Sequence, residues 1–143
     1  MNGIRSGNVF NGTYGEVWFD GEYMAEAIAC KGEVNIKYEA VPRVRKLIDG
    51  QKMVSMEGKG EIKLKKVSSF VLKKASEQLK AGKSPSYTII SNIDDPDAVG
   101  AERVAFYDCK IEKLTLADWE RGKGGEETYG FTFEDWDLLD TTR

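Results

Sequence analysis

The sequence contains no histidine among its 143 residues. That absence removes the commonest general base, the commonest metal ligand and every histidine-based triad, so catalysis would have to run on Asp, Glu, Lys or Tyr. Cysteine is scarce too. Cys30 and Cys109 lie far apart and outside any CxxC spacing, which reads as two small buried thiols in a reducing compartment. No apolar run approaches the roughly 18 residues that a membrane-spanning helix needs. The opening MNGIRSGNVF lacks the basic-then-apolar order of a secretion signal. The chain is therefore expected to be made in the cytoplasm and to have no stable membrane association. A basic excess is missing as well: Lys plus Arg is 21, Asp plus Glu is 24, and the net charge is −3. That balance argues against a dedicated nucleic-acid binder.

The usual site motifs are also missing. Asp94, Asp95 and Asp97 bring carboxylates together, but without EF-hand spacing and around Pro96, so a solvated turn accounts for them. GKGG at 122–125 lacks the P-loop spacing and its trailing Ser or Thr. The lysines of KLKK and VLKK read as wet faces of a strand and a helix. Trp18, Trp119 and Trp136 could stack on bases or sugars, but their alternating neighbours favour core or interface positions. No catalytic, metal or cofactor site is expected.

What the sequence has is alternation. In EVNIKYEA (33–40), Val34, Ile36, Tyr38 and Ala40 point one way, and Glu33, Asn35, Lys37 and Glu39 point the other. Glu61, Lys63 and Lys65 form the wet parity of a second such strand. A strand at Tyr14–Phe19 precedes an Asp20-Gly21 hairpin turn, and a return strand runs over Tyr23–Cys30. Pro42 ends the strand begun at Glu33, and Asp49-Gly50 signals a second hairpin turn. Ser69–Ala81 reads as a helix, capped by Ser68 or Ser69 and stopped by Gly82 and Pro85. Its apolar stripe is Phe70, Val71, Ala75 and Leu79, with Leu72 beside them. Further strands are expected at Tyr87–Ile93, at Arg103–Leu116 with a bulge near Lys113-Leu114, and at Thr128–Leu139, where Tyr129, Phe131 and Phe133 share a face. This pattern predicts one mainly β domain over 1–143. Its architecture is two packed antiparallel sheets, a sandwich or partly open barrel, with one flanking α-helix. An N-terminal arm covers about 1–12, and a hairpin at about 41–56 projects from the body.

Three stretches carry a resemblance to a known family. They are SGNVFNGTYGEVWFDGE (6–22), EGKGEIKLKKVSS (57–69), and the run from SYTIISNIDD to the final WDLLD (86–140). Together they resemble the tail tube proteins of contractile-tailed phages and R-type bacteriocins, including the tube proteins of PBSX-like prophages. The resemblance implies a tail-tube-like fold, hexameric rings whose inner sheets join into one barrel, and rings stacked into a hollow conduit inside a contractile sheath. It implies sheath, baseplate and tail-terminator proteins as partners, DNA only as passing cargo, and no reaction or cofactor. Glu33, Asn35, Lys37, Glu39, Glu61, Lys63 and Lys65 would face the lumen. The loop matching 41–56 would reach neighbouring subunits through Val44, Arg45, Leu47, Ile48, Asp49, Gly50 and Met53, with help from the N-terminal arm and the tail from Asp137. A monomeric ligand-binding β-sandwich and a secretion-system tube protein remain as alternatives.

Overall fold

Asp20 and Gly21 both adopt positive φ, 54° and 86°, the backbone that a two-residue hairpin turn requires. The turn joins β1 (Gly15–Phe19) to β2 (Glu22–Tyr23), as its Asp-Gly signal predicts. The computed structural model describes residues 15–65, 70–94 and 101–140. The expected N-terminal arm, the Ser68/Ser69 cap, most of the DDPDAVG loop and residues 141–143 lie outside the described residues.

After β2 the chain departs from the expected return strand. Met24 turns into the core and is 3% exposed, and its carbonyl accepts a hydrogen bond from the Ala27 amide. A single strand, β3 (Ala27–Val41), then absorbs both the end of that segment and the 33–40 alternation. It pairs antiparallel along its length with β4 (Gly50–Lys65). Helix α1 (Phe70–Lys80) follows, then β5 (Tyr87–Ile93), β6 (Glu102–Ile111), β7 (Glu126–Phe133) and β8 (Asp135–Asp140). The hydrogen-bonded order is β2-β1-β5-β6-β7-β4-β3, with β8 on β6. The path does not close on itself.

Two sheets arise because β6 serves both. Its first part pairs with β5 and β8, and Lys110 and Ile111 pair with β7. The crossing point is a bulge at Asp108, whose φ is 52°. There the register jumps from Ile89↔Phe106 to Tyr87↔Cys109, which lets both Phe106 and Cys109 face the core. The expected bulge at Lys113-Leu114 is thus corrected to Asp108. The expected final strand also divides in two. At Glu134, whose amide bonds the Tyr107 carbonyl, the chain passes from the β7 sheet to the β8 sheet.

Between the sheets lies a core that includes Val17, Phe19, Ile62, Leu64, Ile89, Tyr129, Phe131 and Phe133. Its tightest contacts set rings on glycines. Phe106 covers Gly32, Phe131 covers Gly60 and Phe133 covers Gly58. A Cβ at Gly58 would sit 2.5 Å from the Phe133 ring, and one at Gly60 would also meet the Lys31 carbonyl at 2.6 Å.

Helix α1 lies on this core through Val71 and Ala75. Leu79, expected on the same stripe, is 51% exposed, and Gln78 takes its place by accepting the Tyr87 hydroxyl at 2.8 Å. The helix ends in a Schellman motif. The Lys83 amide bonds the Gln78 carbonyl, the Gly82 amide bonds Leu79, and Gly82 has φ 75°.

Lys74 ties the helix to the first hairpin, donating to Asp20 Oδ2 at 2.7 Å while the Thr88 amide donates to Oδ1 at 3.0 Å. Burial opposes ionisation of Asp20, but the Lys74 hydrogen bond, the Thr88 amide and the Lys74 charge more than offset it, so its pKa is lowered from 3.8. A depressed carboxylate contributes stability at pH above its unfolded value and loses it as pH falls through the folded one. Asp20→Asn is therefore expected to destabilise the fold by about 1 kcal/mol at neutral pH, the upper range for a part-exposed ion pair. Urea titrations at several pH values should show that difference vanishing well below pH 3.8.

Candidate tube-forming surfaces

The β4–β7 ladder ends at Gly58↔Phe133, so among the described residues Asn35–Val41 and Gly50–Glu57 pair only with each other. At about 3.3 Å per residue they form an arm roughly 25 Å long. One face of this arm continues the core-facing parity. There Ile36 sits opposite Met56 and Tyr38 opposite Met53, all about half exposed.

The arm's end is a loop rather than the expected tight Asp49-Gly50 turn. Gly50 already pairs with Val41 in the ladder, Asp49 directly precedes it, and the bend falls at Val44-Arg45, where Arg45 has φ 61°. Arg43 braces the loop by donating from Nε and Nη2 to the Ile48 carbonyl at 3.1 and 3.0 Å. This frame holds Val44, Leu47 and Ile48 in solvent, at 88, 105 and 76% exposed. The candidate interface residues are thus brought together at the tip and, for Met53, on the arm's shaft.

The other face of β3 and β4 is mostly polar, with Ala29 and Val41 as its apolar members on β3. Glu33, Asn35, Lys37 and Glu39 share it with Glu61, Lys63 and Lys65, while Ile62 and Leu64 point inward. Directly opposed residues carry opposite signs: Lys31↔Glu61, Glu33↔Lys59, Glu39↔Lys52 and Lys65↔Glu126. Among the described residues of this ladder no like-charged pair is directly opposed. Ion pairs also run along the face, Lys31–Glu33 at 3.7 Å, Lys59–Glu57 at 3.6 Å and Lys110–Glu134 at 3.6 Å. Each is well exposed and contributes little to stability. Their combined effect is a hydrated wall without a dominant sign.

The titratable groups inside are quiet. Burial, with only partial relief from a backbone hydrogen bond to Ile89, pushes the Cys109 thiol up to about 12. Burial, then the hydrogen bond to Glu127 and its charge, raises the Tyr129 phenol well above its usual range. Both stay protonated at neutral pH, as structural groups do. No group of three or more His, Cys, Asp or Glu among the described residues could hold a metal ion. No helix among them is long and apolar enough to cross a membrane.

Comparison with known proteins gives this geometry a family. The fold matches a tube-terminating cap structure of the anti-feeding prophage (TM-score 0.69, 8% identity, 98% of this chain and 97% of that one). It matches a sheath-tube complex of an extracellular contractile injection system (TM-score 0.68, 6% identity, 93% of each chain). It also matches a Bacillus subtilis protein of known structure (TM-score 0.54, 28% identity, 93% of this chain and 97% of that one). No curated protein matches the chain. The family model DUF2001, described as phage tail tube protein, matches residues 2–140. The chain therefore belongs to the phage tail tube protein family, and it is a tube subunit.

Proposed function

We propose that identical copies join laterally into hexameric rings and that rings stack into the inner tube of a contractile tail or R-type bacteriocin. A sheath, a baseplate and a terminator protein complete the particle. The observation that carries this reading is the two-faced β3–β4 hairpin, with its apolar stripe left half exposed on one side and a sign-balanced wet wall on the other. Its edge strand β3 ends the hydrogen-bonded order, so a strand of a neighbour can pair there. Apolar contact at the arm, at about 25 cal/mol per Å² buried, supplies the attraction.

In this assembly the wet face lines the bore. A wall of alternating sign gives a passing polyanion little to hold, whereas a basic wall would bind phosphates and slow it. No chemical step is involved, and the absence of histidine fits that role. Negative-stain microscopy of the native particle tests the assembly. Hollow tubes containing this chain are expected, and a chain that stays monomeric both at high concentration and in the presence of the other tail proteins would overturn the reading.

The bore assignment has its own test. In a Cys30→Ser background, Lys37→Cys and Lys63→Cys should react with a small maleimide in assembled tubes. They should react much more slowly with a long polymer-tailed maleimide, which must diffuse in from the ends. Equal rates for the polymer reagent on tubes and on free subunits would put this face outside.

A further inference from the structure

Among the described residues, the arm tip is a knob that no hollow of its own chain receives. Its apolar side chains stand in water, flanked by Arg45 and Lys46, while Arg43 is occupied with the Ile48 carbonyl. The same chain carries a hollow of opposite character. The β6–β7 loop and the start of β7 enclose a groove of about 550 Å³. Leu116 and Trp119 wall it, at 69 and 77% exposed. Asp118 and Glu126 give its rim two carboxylates, with Lys113 also in the lining and Lys65 opposite Glu126, and the Glu127 carboxylate is turned in to accept the Tyr129 hydroxyl.

Position separates the two. The β4–β7 ladder runs from Lys65↔Glu126 at one end to Gly58↔Phe133 at the other. The groove lies at the Glu126 end, and the arm leaves from the Phe133 end. A chain therefore presents its knob and its hollow at opposite ends of one ladder. Such a pair of unlike patches makes a head-to-tail contact that repeats along an axis.

We propose that the arm tip of one copy seats in the Leu116–Trp119 groove of another, with apolar tip residues against the indole and tip cations over the acidic rim. This rests on the tube reading and names the contact that stacks its subunits. The apolar part supplies the attraction, and the charges fix partner and orientation.

Rim positions give a test that leaves the apolar contact intact. In a Cys30→Ser background, Lys46→Cys and Asp118→Cys are combined and assembled particles are treated with a short bis-maleimide. A ladder of covalent multimers on a denaturing gel is expected only when both cysteines are present in tubes. Tubes that form but give no ladder above the single-cysteine chains overturn the groove assignment alone, whereas a wild-type chain that forms no tube overturns it together with the parent reading. Charge exchange supplies the second measurement. Lys46→Glu should raise the critical concentration for assembly by about three- to tenfold, and adding Asp118→Lys should restore it. A double variant that assembles no better than Lys46→Glu alone would also refute the contact.

Discussion

A chain carrying Leu47→Asp and Ile48→Asp is expected to remain monomeric where the wild type forms tubes, with an unchanged melting temperature. Both side chains are almost fully in water in the single subunit, at 105 and 76% exposed, so the fold has little to lose. Arg43 holds the loop through the Ile48 carbonyl, which the substitution leaves in place. Assembly is another matter. Each aliphatic side chain buried in a contact contributes about 1.5–3 kcal/mol, and an unpaired carboxylate forced into the same place costs several more. The loss recurs at every subunit of a polymer. Light scattering and negative-stain images decide it. Tubes of normal length from the double variant would exclude this loop as a contact.

The second large effect concerns the fold itself. Gly58→Ala should destabilise the subunit by about 1–3 kcal/mol, because a methyl group there enters the Phe133 ring and the core has no slack. The ring cannot simply turn aside, since it packs on Phe106 at 4.8 Å and on Trp136 at 6.2 Å between centroids. For a domain of this size the melting temperature should fall by roughly 3–10 °C. Backbone strain is not the cause, because Gly58 is absent from the positive-φ glycines. Phe133→Leu removes the clash, so in that background the same Ala should cost under about 0.5 kcal/mol, giving a coupling of at least about 0.5 kcal/mol. Strictly additive effects in this double-mutant cycle would show that the ring and the glycine are not in contact.

Much of this was legible in the sequence where the signal is local. The 33–40 alternation, the Asp20-Gly21 turn, Tyr87–Ile93 and the Tyr129/Phe131/Phe133 face all depend on neighbours within a few residues. Alternation likewise marks the wet parity of each strand, Glu33 to Glu39 on one and Glu61 to Lys65 on the other, while their common face was implied by the family resemblance. What sequence reading missed depends on distant partners. One strand is expected to end at Cys30 and another to begin at Glu33, yet β3 runs straight through Gly32, whose bare Cα makes room for the Phe106 ring. Asp108 gives no hint of a bulge until β5, β7 and β8 compete for the same strand. Leu79 fits a helical stripe by spacing, but the helix meets the sheet through Val71, Ala75 and Gln78 instead. The Leu116–Trp119 groove lies in a loop without periodicity and becomes visible only once β7 stands beside it.

Asp108 and Glu134 sit side by side where β6 and the β7–β8 segment each change layers. The backbone thus stitches the two layers together twice at one level. A load applied along the subunit would be carried as shear in covalent bonds at that seam. Side-chain packing between the layers, which slips far more readily, would be spared most of the strain.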